Sequence, residues 1–132
     1  MFSMKKPTLI LIILFSTVML SSQSLAKWEK VNEDTKGNTF YVDFERIRKH
    51  DGYVYYWTLV DYLKPDKDGD WSEKNYIQVD CKLFRFKILS GSFHKEPMGR
   101  GTPETVTPKN PQWEYPSPNS VHESHTESVC NR

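Results

Sequence analysis

The chain has 132 residues, with 18 basic and 17 acidic side chains and a formal net charge of +1, and 14% of its residues are aromatic. A length of this order suits one domain with one small core. The near-neutral charge excludes a nucleic-acid-binding protein that works by charge alone, so we expect no nucleic-acid partner.

The first 26 residues have the pattern of a secretory signal peptide. Two lysines precede an apolar run, Leu9–Leu20, and Ser24-Leu25-Ala26 offers small side chains at the two positions that a signal peptidase inspects. A membrane anchor is the alternative, but a run of about a dozen apolar residues is short of the roughly 20 that span a bilayer. We therefore expect cleavage after Ala26 and a single mature domain, residues 27–132, with no transmembrane segment.

The expected cellular location follows from the cysteines. Neither Cys81 nor Cys130 stands near the cleavage site, so we expect no lipid anchor and a periplasmic or secreted protein. An exported chain with an even number of cysteines most simply pairs them. The alternatives are free thiols or a two-cysteine metal site, which a CxxC spacing or a nearby histidine would favour, and neither is present.

Alternating apolar and polar residues predict a β-rich mature domain. Short strands are expected at Trp28–Val31 and Thr39–Asp43, followed by one helical turn to Arg48. Tyr53–Tyr62 alternates so regularly that it predicts a central strand. A second central strand is predicted at Tyr76–Leu89, where a switch in apolar parity near residues 83–84 indicates a bulge.

The polar loop between these central strands contains Asp66, Asp68 and Asp70, and clustered carboxylates suit calcium. The loop departs from the calcium-binding pattern, because glycine comes at its fourth place and Ile77 stands at the twelfth, where a glutamate is needed. A solvated turn is the favoured interpretation, with calcium as the alternative.

A C-terminal helix is predicted over Ser120–Cys130. Ser120 and Glu123 have the spacing of a capping box, and prolines lie just upstream. The predicted fold is α+β, an antiparallel sheet of about five or six strands with this helix packed on one face and tied by a disulfide. His122 and His125 could share a helix face as zinc ligands, but the sequence identifies no third ligand, so solvated side chains are favoured.

The sequence contains none of the common catalytic or nucleotide-binding motifs, so we expect neither an enzyme nor a cofactor. Its distinctive feature is the number of aromatic residues. Tyr56, Tyr62 and Tyr76 are predicted to lie on the sheet face away from the helix, as a candidate binding face for a protein partner, because amphipathic tyrosines are favoured at interfaces. The alternative is that loops cover this face.

Taken together, motifs spread over nearly all of residues 28–130 resemble the surface-adhesin protein E family of bacterial envelope proteins. The motifs are Trp28, Tyr41-Val42-Asp43, Ile47-Arg48, Trp57, Asp61-Tyr62, Cys81, Met98-Gly99, Gly101, Trp113, Pro118-Asn119-Ser120 and Cys130.

The resemblance implies an antiparallel sheet with a disulfide-tied C-terminal helix. The best-known kind of this family is a surface lipoprotein that binds host extracellular-matrix proteins, so the resemblance implies a protein-binding module of the cell envelope. The chain differs from that kind because it lacks the lipid-bearing cysteine. The alternative function is a periplasmic structural or assembly factor that shares the fold without adhesion.

Overall fold

The computed structural model describes residues 25–132, so the predicted leader lies outside the described residues except for its last two positions. The described part contains seven strands, one α-helix and two 3₁₀ turns, at Phe44–Arg46 and Pro97–Gly99. The strands are β1 (Glu29–Glu33), β2 (Thr39–Val42), β3 (Arg48–His50), β4 (Tyr53–Asp61), β5 (Ser72–Asp80), β6 (Arg85–His94) and β7 (Glu104–Val106), and the helix is α1 (Val121–Cys130).

All seven strands belong to one antiparallel sheet. Its order is β1-β2-β4-β5-β6-β7, and β3 pairs with the first part of β4 while β2 pairs with the last part. Helix α1 packs on one face, so the predicted α+β class is confirmed. The count exceeds the predicted five or six strands because β3 and β7 are three-residue strands at which the sequence shows little alternation.

The prediction of one strand over Tyr76–Leu89 is wrong, because this segment is the centre of a hairpin. Strand β5 ends at Asp80 and β6 begins at Arg85, with a tight turn between them. The Asp80 side chain accepts hydrogen bonds from the amides of Lys82 and Leu83, and Phe84 closes the turn at a φ of 51°. The parity switch therefore marks a reversal of the chain and not a bulge.

Helix α1 starts where the sequence predicts. The Ser120 hydroxyl accepts a hydrogen bond from the Glu123 amide at 3.1 Å, and the Glu123 carboxylate accepts one from the Asn119 amide at 3.1 Å. These bonds satisfy amides around the first turn that have no partner within the helix. The helix covers an apolar cluster formed by Val42, Val54, Tyr56, Ile77, Val79, Phe86 and Val129.

The predicted disulfide is confirmed, since Cys81 and Cys130 are bonded with a Cα–Cα distance of 5.6 Å. Cys81 lies in the turn after β5, and Cys130 is the last residue of α1. The bond therefore joins the C-terminal end of the helix to the β5–β6 turn, at the edge of the core. Between residues 25 and 132, no helix is long and apolar enough to cross a membrane.

Candidate functional site

The sheet face opposite α1, here called the open face, includes a group of five neighbouring, partly exposed aromatic side chains. Tyr53, Tyr55 and Trp57 come from alternate positions of β4, and they extend sideways to Tyr76 of β5 and Trp113 of the C-terminal segment. Ring centroids are 5.5 Å apart for Tyr53 and Trp113, 6.1 Å for Tyr55 and Tyr76, and 4.7 Å for Trp57 and Tyr76. We call these five residues the aromatic row.

The row follows from strand register. Because successive side chains of a strand point to opposite faces, the odd-numbered residues of β4 share the open face. Trp57 pairs with Tyr76, and Tyr55 pairs with Gln78, so these partners lie on the same face. Gln78 Nε2 donates a 3.0 Å hydrogen bond to the Tyr55 hydroxyl, which fixes one member of the row.

Positive charges surround the aromatic row. The Arg85 guanidinium and the Lys87 ammonium lie 4.4 and 4.3 Å from the centroid of the Trp113 ring. Cations at this distance are attracted to the face of an indole ring. Arg85 is also held by Asp80, with 3.0 Å between Nε and Oδ2. At this end of the row, the Trp113 ring is therefore flanked by the cations of Arg85 and Lys87.

Two shallow clefts flank Trp57 and Lys74 at the other end of the row. The first, the amino-terminal cleft, has a volume of about 190 Å³ and is lined by Ala26, Trp28, Asp43, Arg46, Trp57 and Lys74. The second has about 180 Å³ and is bordered by Trp57, Lys74, Ser90–Ser92, His94, Pro103 and Thr105. Together with the aromatic row, the two clefts give the open face an uneven surface of aromatic rings, cationic side chains and hydroxyl groups.

The three tyrosines predicted as a binding face do not share a face, so that grouping is wrong. Tyr56 is fully buried under α1, because it pairs with Ile77 and therefore points to the core side of the sheet. Tyr62 contacts Glu73 at the margin of the helix side, and burial together with this carboxylate raises the pKa of Tyr62. Tyr76 alone lies on the open face.

Four members of the aromatic row were not predicted, although the signal for three of them is present. Tyr53, Tyr55 and Trp57 alternate in the sequence with Tyr56, but the face that the helix covers depends on how β4 pairs with β5. The Trp113 position depends on a two-hydrogen-bond bridge between Phe86 and Glu114, which brings the C-terminal segment to β6. The alternation of apolar and polar residues along a strand determines neither the pairing of β4 with β5 nor the bridge between Phe86 and Glu114.

Tyr56→Phe is expected to leave stability unchanged or to raise the free energy of unfolding by up to about 1 kcal/mol. The Tyr56 hydroxyl is buried and has no hydrogen-bond partner in the described part of the chain, so its removal breaks no hydrogen bond there. Tyr55→Phe is the matched control and should destabilise by about 0.5–1 kcal/mol, because Gln78 loses its acceptor. Urea unfolding would measure both, and a marked destabilisation by Tyr56→Phe would contradict the burial described here.

His125 is buried and His122 is partly buried, so the solvated interpretation favoured from sequence is wrong for His125. His122 stacks on Phe86 with 4.3 Å between ring centroids, and burial lowers the pKa of His122. His125 is 2% exposed, neither ring nitrogen has a hydrogen-bond partner within residues 25–132, and burial lowers its pKa to about 4. The Glu123 carboxylate accepts the Asn119 amide at the start of the helix, so it is not available as a metal ligand beside His122 and His125.

Among residues 25–132, the only three side chains placed to hold one metal ion are Asp66, Asp68 and Asp70. Their loop is already closed by its own contacts. Asp66 Oδ1 accepts the amides of Asp68 and Asp70 at 2.9 Å, and the Lys95 ammonium lies 3.0 Å from Asp70 Oδ1. The positive charge beside these carboxylates thus comes from Lys95, which agrees with the favoured interpretation of a turn.

The family model described as Surface-adhesin protein E matches residues 28–131. The chain belongs to this family. A comparison with curated protein sequences gives no match.

Solved structures of Haemophilus influenzae protein E share the surface-adhesin fold. Crystal form II of that protein aligns with a TM-score of 0.60 at 16% sequence identity, covering 83% of this chain and 91% of the other. Protein E from non-typeable Haemophilus influenzae aligns with a TM-score of 0.58 at 16% identity, covering 83% of this chain and 79% of the other. At this identity the structural likeness supports the shared fold.

Proposed function

We propose that this surface-adhesin protein E domain is an exported, non-catalytic protein-binding module of the bacterial cell envelope, and that it binds its partner through the open face. The observation that carries the proposal is the aromatic row, five neighbouring rings on a sheet face that α1 leaves uncovered. Family membership supports a binding role, and the family's best-known members make host extracellular-matrix proteins the first partners to test.

The aromatic row has the properties of a protein-binding surface. Tyrosine and tryptophan bury a large area on binding and lose little side-chain freedom, because they have only two rotatable side-chain bonds. Their stacking on one another, and the Gln78 bond to Tyr55, hold the rings in place before a partner arrives. Pre-ordering of this kind reduces the entropy that association costs.

The cations around the row indicate the character of the partner surface. Arg85, Lys87 and Lys74 border the rings, and within residues 25–132 only Arg85 of the three forms an ion pair with a carboxylate, that of Asp80. A partner with acidic side chains around an apolar centre would match this arrangement, since complementary charge increases the association rate and helps to orient the complex.

Export is supported by two independent features. The leader has a basic start, an apolar run and small residues before Lys27, and the disulfide between Cys81 and Cys130 is stable in oxidising compartments. We propose cleavage after Ala26 and release of an unlipidated protein into the periplasm or the medium.

The proposal is tested by immobilising the mature protein and comparing what it retains from a panel of host matrix proteins and from periplasmic extract. Preferential retention of matrix proteins is expected. Preferential retention of periplasmic proteins would instead support the assembly-factor alternative, in which the fold is shared without adhesion.

Trp113→Ala is expected to weaken binding of the retained partner by about 10–30-fold, the effect of removing an interface hot spot. Trp113 belongs to the row and lies outside the regular strands. Tyr115→Ala is the matched control, because Tyr115 is 68% exposed two residues away and lies outside the row. Titration by surface plasmon resonance measures both, and equal affinities of the two variants would contradict binding through the row.

A further inference from the structure

Buried Asp43 lies beside the first residue of the expected mature chain. Its side chain is 1% exposed, yet its Oδ1 atom is buried and has no hydrogen-bond partner among residues 25–132. The other oxygen, Oδ2, is 3.3 Å from the backbone nitrogen of Lys27 and 3.4 Å from Arg46 Nε. A buried carboxylate with one unsatisfied oxygen is costly unless further donors or positive charge reach it.

The chemical nature of the Lys27 nitrogen depends on processing. In the uncleaved chain this nitrogen is an amide with a single N–H donor and no charge. Hydrolysis of the Ala26–Lys27 peptide bond consumes one water, leaves a carboxylate on Ala26 and converts the Lys27 nitrogen into an α-ammonium. That group has a full positive charge and three donors, enough to reach both oxygens of one carboxylate.

We infer that Asp43 is the binding site for the new α-ammonium group of Lys27, and that leader cleavage after Ala26 completes the folded state of the domain. This inference rests on the export proposed above. Asp43 is well fixed for the role, because its amide donates to the Trp57 carbonyl at 3.3 Å and so anchors it to β4.

The same event changes the open face. Ala26 is one of the residues that line the amino-terminal cleft, together with Trp57 of the aromatic row and Lys74. Removal of Ala26 takes away one wall of that cleft and leaves the charged terminus at its base. The processed chain therefore presents a more open cleft beside the row than the chain that retains its leader.

The experiment compares chains whose first residue is set by a protease that leaves no tag residues. The chain that begins at Lys27 is expected to melt about 5 °C above the chain that begins at Ala26, a shift measurable for a domain of roughly 100 residues. Acetylating the α-amino group of the Lys27 chain should lower its Tm by the same amount. Equal Tm values, within 1 °C, for the Lys27 and Ala26 chains would overturn the inference.

Two variants separate the α-ammonium from other effects. Asp43→Asn should abolish the Tm difference between the Lys27 and Ala26 chains, and persistence of that difference would overturn the inference. If Asp43→Asn does not fold, the acetylation result decides in its place. Lys27→Ala is the matched control and should retain the difference, because the Lys27 side chain forms an exposed ion pair with Glu45 and the α-ammonium is unchanged.

The position of leader cleavage is measured separately, by intact mass and N-terminal sequencing of the exported protein. A chain beginning at Lys27 supports the inference, and a chain beginning elsewhere overturns it. The Tm comparison does not depend on partner binding, so the proposed binding role and this inference can fail independently.

Discussion

Replacing Cys130 with serine is expected to lower the free energy of unfolding by about 2–4 kcal/mol. The disulfide closes a loop between positions that are 49 residues apart in sequence. Closing a loop of this length lowers the entropy of the unfolded chain and so raises its free energy by up to about 4 kcal/mol in the chain-entropy account. The helix contributes Val129, His125 and Thr126 to the buried interior, which is little apolar surface for docking without the bond.

The measurement is urea unfolding with circular dichroism, together with hydrogen exchange of the last dozen residues. The sheet should remain formed while α1 frays. Cys81→Ser and the double variant are matched controls and should resemble Cys130→Ser, since each removes the same bond. Two titratable thiols in denatured, unreduced wild-type protein would contradict this account of how the helix is held.

Acidification from pH 7 is expected to lower the free energy of unfolding through His125, by about 2 kcal/mol at pH 5 and about 3 kcal/mol at pH 4. Burial, with a smaller effect of His122, depresses the pKa of folded His125 to about 4 from an ordinary value of 6.5. Between these values the unfolded chain binds a proton that the folded chain does not. Stability is therefore lost as the pH falls through this range and levels off below pH 4.

Other groups face His125 and contribute to the same titration. Tyr56 packs edge-on against it, His122 precedes it by one turn, and Glu73 lines the same cavity between α1 and the sheet. Burial raises the pKa of Glu73, so Glu73 acts in the opposite direction and favours folding as the pH falls. The His125 contribution must therefore be read as a difference between variants.

His125→Phe should reduce the loss of stability between pH 7 and 5 by about 2 kcal/mol relative to wild type, because it removes the His125 titration and keeps a ring of similar shape. His50→Asn is the matched control, because it removes a histidine outside the core, with a side chain that is 62% exposed. Urea unfolding at intervals of half a pH unit measures the slopes. Equal slopes for wild type and His125→Phe between pH 7 and 5 would contradict a buried, neutral His125.

Local signals in the sequence predict several elements correctly. The capping pair Ser120 and Glu123 marks the start of α1, and the alternation of Tyr53–Tyr62 marks β4 to within one residue of its end. Both signals act between residues that are close in sequence, so a single sequence is enough to show them. The cysteine pairing is predictable for a different reason, because a chain with two cysteines offers only one intramolecular pairing.

The misplaced elements depend on contacts between distant residues. The turn at Cys81–Phe84 contains no glycine, proline or asparagine, and it forms because Asp80 bonds amides within it and Phe84 accepts a positive φ. In the sequence, such a turn is visible only as a switch in which alternate positions are apolar. Tyr56 was assigned to the wrong face because its pairing with Ile77 is set by the register of two strands, which local alternation does not determine.

The central claim, that the protein binds its partner through the open face, is tested most directly by hydroxyl-radical footprinting of free and partner-bound protein. This method reports solvent access to individual aromatic side chains. We expect oxidation of Trp57, Tyr76 and Trp113 to fall when the partner retained in the binding assay saturates the protein, while oxidation of Tyr115 stays the same. Unchanged oxidation of all three row residues in a saturated complex would contradict the claim.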